Sequence, residues 1–473
     1  MTKETLRINS NRQLFVDDYM IESMDQVELK LHTPTGAGTA LVLDQAWEGV
    51  TCDYQTVFKD DDTYRMYYRG SSHEGYTIES LLDDGEQIVP LHHETICYAE
   101  SKDGINWTKP DLGLIEFNGS KKNSIVWLDD DLDTTDLVPF IDGNPESKPE
   151  ERYKGIVWKG SNVFAVSSPD AVTWSFMRDE PILTEGPFDS QNVPFWDPWK
   201  EEYVIFTRGK IGGDPWTRNS LGNSFRGGYR WIRRATSPDF LNWSKLELLN
   251  MGDTPYEHLY TNGTTPYTRG HQIYLAFPRR FSPERKPRED SPWNGTSDTV
   301  FMSSRDGLNW DRRFMESIVR PGIGPRNWTS RNNLLSNGIV ETGDDELSMY
   351  VLRHRDYPSV HFERLTLRKD GFVSVNAGFR DGEFLTRPLV FEGTQLEINY
   401  STSAAGSIKV AIVDKNDREI EGFGFDDCPE IFGDEINGIA AWETGTDVSN
   451  LAGNPVKLRF RMKDSDIYSF KFD

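Results

Sequence analysis

Three aspartates hold comparable places ahead of a recurring tyrosine-led strand. Asp53 stands eleven residues before Tyr64, and Asp142 eleven before Tyr153. Asp189 stands fourteen before Tyr203, within Asp189-Ser-Gln-Asn-Val193, which resembles Asp53-Tyr-Gln-Thr-Val57. A fourth unit offers Glu257 and His258 in front of its strand, and a fifth offers Asn337. Carboxylates gathered from distant parts of a chain suit acid–base cleavage of a glycosidic bond. One must be ionised to activate water or attack the sugar, another protonated to release the leaving oxygen, and their repulsion helps hold the two pKa values apart. A lone Asp also serves as a turn cap. Three at matched positions favour a shared site.

Other side chains join this set. Arg69, Arg208 and Arg279 fall near the ends of matching strands. Such a ring of guanidinium groups either neutralises the acids or receives a carboxylate or sulfate on an acidic sugar. His93 and Glu94, preceded by His92, stand ahead of another strand and are further candidates to touch substrate. Neighbours on a strand face opposite ways, so these three do not form one metal site. Trp196, with Trp199, Trp216, Trp231 and Trp328, lies in irregular sequence where an aromatic face can stack on a sugar ring.

The elements that must position these groups announce themselves by repetition. Ser101-Lys-Asp-Gly-Ile-Asn-Trp107, Ser168-Pro-Asp-Ala-Val-Thr-Trp174, Ser237-Pro-Asp-Phe-Leu-Asn-Trp243 and Ser304-Arg-Asp-Gly-Leu-Asn-Trp310 share one pattern, with the tryptophans 67, 69 and 67 residues apart. A degenerate fifth copy is Arg368-Lys-Asp-Gly-Phe372. Ser and Asp side chains bond nearby backbone N–H groups and hold a tight hairpin, over which the Trp folds. Five copies of a strand such as Tyr64-Arg-Met-Tyr-Tyr accompany the turns, and helical periodicity of useful length is absent. Radial repetition of four-stranded antiparallel units is a β-propeller. The expectation is an all-β chain: a five-bladed propeller over residues 1–380, closed by Leu14–Ile21 against the last blade, then a β-sandwich over residues 381–473.

The run from Asp53 through Lys59-Asp-Asp-Asp-Thr-Tyr64 to the first Ser-Asp-Trp turn resembles the opening of five-bladed propeller glycoside hydrolases, the invertase/fructanase-like, arabinanase-like and anhydrogalactosidase-like groups. The resemblance implies an Asp base or nucleophile on the first blade (Asp53), an orienting Asp on the second (Asp142) and a general acid on the third. That acid is a Glu in those groups. Here the third blade carries Asp189, with Glu257 and His258 as other candidate donors. The resemblance implies an exo-acting, inverting hydrolase of oligosaccharides involved in polysaccharide degradation. A carbohydrate-binding propeller without catalysis, a sialidase or a glycoside phosphorylase are the alternatives, although the sialidase repeat carries one more residue and its ring six blades.

Composition narrows the partners. The 473 residues carry a net charge of −24, a field that repels nucleic acid and anionic membrane surfaces. Three scattered cysteines make neither a disulfide framework nor a zinc ribbon. No cofactor is required by this chemistry, though the axis leaves room for a structural calcium. No leader-like run opens the sequence, which reads as cytoplasmic as written, or secreted or periplasmic if a leader was removed. Oligomeric state is not encoded legibly.

Overall fold

The computed structural model describes residues 4–72, 92–128, 134–212, 228–285 and 295–473. Trp216 lies outside them. Apart from three short 3-10 turns, the described elements are strands, and no helix is long and apolar enough to cross a membrane. The chain divides into two compact units, one of residues 34–266 and 274–366, the other of residues 1–33, 267–273 and 367–473.

The larger unit is the five-bladed propeller. In the first blade the inner strand Asp53–Asp60 pairs with Thr63–Gly70, then Thr95–Ser101, with Ile125–Trp127 outermost. The second runs Thr134–Ile141, Tyr153–Lys159, Asn162–Ser168, Ser175–Phe176, and the third Val193–Asp197, Glu202–Ile211, Tyr229–Ser237, Glu247–Leu248. The fourth is split lengthwise into two four-stranded sheets, because its second strand breaks after Tyr274–Ala276 and resumes at Arg279–Ser282, across Phe277 and a proline with no N–H to give. In the fifth, Val340–Glu341, Glu346–Arg353 and His361–Arg368 are joined by Thr35–Val42. Five blades, not six, agree with the repeat count.

Each Ser-Asp-Trp segment forms the predicted turn. Asp103 Oδ1 accepts the N–H groups of Ile105 and Asn106, and Ser101 Oγ accepts that of Gly104. Asp239 does the same for Leu241 and Asn242. Burial raises its pKa, but these donors outweigh it and hold the group down at about 2. The residue after the Asp takes a left-handed backbone every time: Gly104, Ala171, Phe240 and Gly307, with φ between 66° and 77°. Trp174, Trp243 and Trp310 donate their indole N–H to the carbonyl of that residue, which fixes the Trp over the blade.

The strand closing the ring differs from expectation. Thr35-Gly-Ala-Gly-Thr-Ala-Leu-Val42 seals the fifth blade, a segment of small residues without the apolar alternation that marks a strand in sequence. The apolar Leu14–Ile21 stretch belongs to the other unit. There Gln13–Leu14 pairs with Lys457–Phe472, Ile21–Asp25 pairs with Gly382–Thr386, and Phe15 packs on Phe384 and Phe470. The boundary set at residue 380 therefore falls inside this second unit, whose strand Val373–Ala377 lies between Val27–Leu31 and Lys457–Phe472. Its eight-stranded sheet is built on two long strands, Leu396–Val413 and Lys457–Phe472, over a core with Phe391, Phe460, Phe472 and Trp442. The degenerate fifth repeat is recruited here: Asp370 accepts hydrogen bonds from Tyr267, Arg269 and Ser469.

Candidate active site

The propeller's inner strands converge at one end on an acidic and basic cluster. Asp53 opens the first inner strand and is wholly buried. Arg279 Nη1, from the fourth blade, reaches both its oxygens at 3.1 and 3.2 Å, and Arg355 Nε, from the fifth, lies at 3.7 Å. Asp53 and Arg279, both singled out from the sequence, are thus in direct contact. The strand register slips between Asp53 and Thr56, where Tyr54 takes a left-handed φ of 61°. The second inner strand slips at the corresponding place, between Thr135 and Val138, and there Asp136 has φ 62°. Bulges of this kind re-aim side chains next to active sites, and a non-glycine residue held left-handed stores strain.

Asp136 is the acid that sequence reading missed. It is buried, with Arg69 Nη1 at 3.4 Å, and Arg69 is also 3.6 Å from Glu94 Oε1. Burial drives its pKa up to about 7. Arg69 opposes the rise, while repulsion from Glu94, Asp53 and Asp189 adds to it. Acids from three blades thus share one field. Asp189 pairs with Arg208, its carboxylate 55% exposed. The signal available in the sequence was a lone Asp inside the strand Thr134–Ile141, hidden by the acidic run just before it.

Asp142 lies at the wrong end. It follows the last residue of the second inner strand, whereas Asp53 opens the first. The hairpin after it, residues 142–152, is long where the one after Asp60 is tight, so counting back from the tyrosine matched opposite strand ends. Its true counterparts are Asp60 and Asp197. Tyr153 donates to Asp60 at 2.7 Å, Tyr203 to Asp142 at 2.8 Å, Tyr274 to Asp197, and Tyr64 to the Glu341 carbonyl at 2.6 Å. The tyrosine that leads the second strand in each of the first four blades is therefore a staple to the previous blade round the ring. Asp142 also holds the buried Lys154. Asp142→Ala should lower unfolding free energy by about 1–3 kcal/mol, because the buried Lys154 loses a charge-assisted hydrogen bond but keeps Glu151 at 3.4 Å. A denaturant titration reads this, and kcat of the folded fraction should not change.

The remaining candidates separate. Trp196 packs edge-on against Tyr203 at 4.8 Å, on the staple end, and is a packing residue. His93 is exposed, while its neighbour Glu94, just ahead of the strand Thr95–Ser101, reaches Arg69 in the cluster. His258 accepts the backbone N–H of Arg230 on Nδ1, and burial, then Arg230, push its pKa down to about 4. Both effects favour the neutral imidazole, which argues against His258 as the proton donor. Glu257 is held by Arg280 and Arg312 in a cleft of about 610 Å³ that also takes in Asp298, Ser297 and Trp328.

Aromatic rings interleave with the guanidinium groups. Arg69 lies 4.6 Å from the Tyr54 ring centre and Arg279 5.8 Å from it, Arg279 and Arg230 each 4.7 Å from that of Tyr260, and Arg208 5.9 Å. Buried Arg279 Nε and Nη2 have no hydrogen-bond acceptor among the described residues, and the two π faces compensate in part. Burial raises the Tyr54 phenol. Tyr260 is likewise raised by burial, but Arg331, Arg230, Arg208 and Arg279 together bring it down to about 7. No group of three or more His, Cys, Asp or Glu among the described residues is arranged to hold a metal ion.

No known family and no curated protein matches the sequence. Among solved structures, one described as a glycoside hydrolase is similar at 15% identity and a TM-score of 0.46, covering 71% of this chain and 92% of its own length. A glycoside hydrolase family 43 arabinoxylan arabinofuranohydrolase from Bacillus subtilis is similar at 11% identity and a TM-score of 0.41, covering 89% and 95%. The catalytic domain of a Coprinopsis cinerea GH62 alpha-L-arabinofuranosidase is similar at 10% identity and a TM-score of 0.43, covering 72% and 98%.

Proposed function

We propose that the propeller is a glycoside hydrolase working by carboxylate acid–base catalysis. One observation carries the reading: Asp53 is clasped by two cationic side chains, Arg279 and Arg355, while burial pushes the Asp136 carboxyl in the next blade up to about 7. Two carboxyl groups in contrasting environments, one beside cations and one pushed up by burial, are what cleavage of a glycosidic bond uses. Asp53 activates water and Asp136 protonates the leaving oxygen. Arg69 and Glu94 tune Asp136, and Asp189 with Arg208 faces the substrate. The decisive experiment is a screen of oligosaccharides by released reducing sugar, repeated with Asp53→Asn and Asp136→Asn. Activity in the native enzyme that disappears in both variants supports the reading, whereas activity surviving both removes it. Release of single terminal sugars with inversion is the stereochemical form of the proposal, and proton NMR of the first-formed anomer reads it.

A further inference from the structure

At φ 61° the backbone of Tyr54 suits glycine, and an aromatic residue held there carries strain that some interaction must offset. The kink is fixed locally. The Tyr54 N–H donates to Asp53 Oδ1 at 3.1 Å, within the register slip that separates Asp53 from Thr56. The side chain is buried, and its ring meets two cations at once. The Arg69 guanidinium lies 4.6 Å from the ring centre and that of Arg279 5.8 Å from it. These are the arginines that hold the acids of the proposed pair, Arg69 with Asp136 of the second blade and Arg279 with Asp53 of the first.

Neither guanidinium is satisfied by its acid alone. Arg69 Nε, and Arg279 Nε and Nη2, are buried without a hydrogen-bond acceptor among the described residues. Buried donors left unpaired are costly, and the negative face of an aromatic ring serves a desolvated guanidinium in place of an oxygen. Burial raises the Tyr54 phenol, so the ring stays neutral and does not compete as an anion for either arginine. Arg69 stands 3.4 Å from Asp136 and 3.6 Å from Glu94, divided between two carboxyls rather than closed on one. The ring is the third contact that fixes its place.

We infer that Tyr54 is a positioning residue for the acid pair: its ring holds Arg69 by Asp136 and Arg279 by Asp53, and so ties the spacing of the two carboxyl groups on which cleavage depends. Its effect on rate rests on the hydrolase reading, and its effect on the arginines rests on the ring contacts alone. Tyr54→Leu fills much of the same space without a π face. It should cut kcat by about tenfold to a hundredfold at unchanged KM, the mark of lost geometry at the reacting groups rather than of lost substrate binding. Tyr54→Phe keeps the ring and should recover most of that rate. Should Tyr54→Leu fold poorly, Tyr54→Gly, at home in the left-handed backbone, takes its place with the same expectation. In the full chain labelled with nitrogen-15 arginine, the Nε–H resonances of Arg69 and Arg279, assigned from Arg69→Lys and Arg279→Lys, should move in Tyr54→Leu and stay near native in Tyr54→Phe. Equal kcat in Tyr54→Leu and Tyr54→Phe, or a loss carried by KM alone, would overturn the inference and make the ring a core filler or a substrate contact. Arginine resonances unmoved in Tyr54→Leu would overturn it too. Absence of turnover of any glycoside by the native protein would remove the hydrolase reading, and the resonances would then decide by themselves whether the ring holds the arginines.

Discussion

Asp53→Asn is expected to cut kcat by about a thousandfold or more, near the upper range for removing a general base. The amide preserves shape and keeps a carbonyl oxygen for Arg279, yet it cannot take a proton from water. The substitution also leaves Arg279 and Arg355 facing a neutral group in a buried place, where both are almost fully enclosed. A loss of about 3–5 kcal/mol in stability should accompany it. The two effects separate experimentally: kcat is measured on the folded fraction at low temperature, and stability by a urea midpoint. A variant that is destabilised but turns over at the native rate would make Asp53 a structural anchor only.

Asp136→Asn is expected to act on the pH profile as well as the rate. A proton donor with its pKa raised to about 7 is loaded below that pH and empties as pH rises through it, so native kcat/KM should fall on the alkaline side of about 7. The variant should lose a hundredfold or more against glycosides with alkoxide leaving groups, and much less against aryl glycosides whose leaving group needs no proton. Its remaining activity should lack the alkaline limb set by this carboxyl. The sign for stability is the same as for activity. A carboxyl whose folded pKa exceeds its unfolded value favours the folded state at low pH and loses that contribution between about pH 4 and pH 7. An alkaline limb unchanged in Asp136→Asn would transfer the acid role to another group, with Glu94 the nearest in the same network.

The architecture was legible because it is written in repeated local chemistry. Ser101, Asp103 and Trp107 make their turn with backbone groups a few residues away, and their copies do the same wherever they stand. The blade count followed directly. The site was half legible for the opposite reason. Asp53 and Asp189 sit in similar pentapeptides, so matching them worked. Asp142 was matched by its distance from a tyrosine, and that distance depends on hairpin length, which no local rule fixes. Asp136 depends on a bulge, a slip of register that one strand makes against its neighbour, and the approach of Arg279 to Tyr54 depends on packing between blades. Tyr64, Tyr153, Tyr203 and Tyr274 were seen as a motif but not as the staples they are, since each partner belongs to the preceding blade.

The strand that completes the fifth blade has a kinetic consequence. Thr35–Val42 leaves the ribosome before any blade exists, yet its partner is His361–Arg368, some three hundred residues later. The loop this pairing closes is the longest in the propeller, and bringing such ends together costs entropy that earlier contacts cannot recover until the last blade arrives. Until then the segment waits as a small-residue tail with unpaired N–H and C=O groups. The slow phase of refolding should therefore report on this seam. A circularly permuted chain that opens in the connection between residues 42 and 53, placing Thr35–Val42 after His361–Arg368, should assemble faster while keeping the same ring.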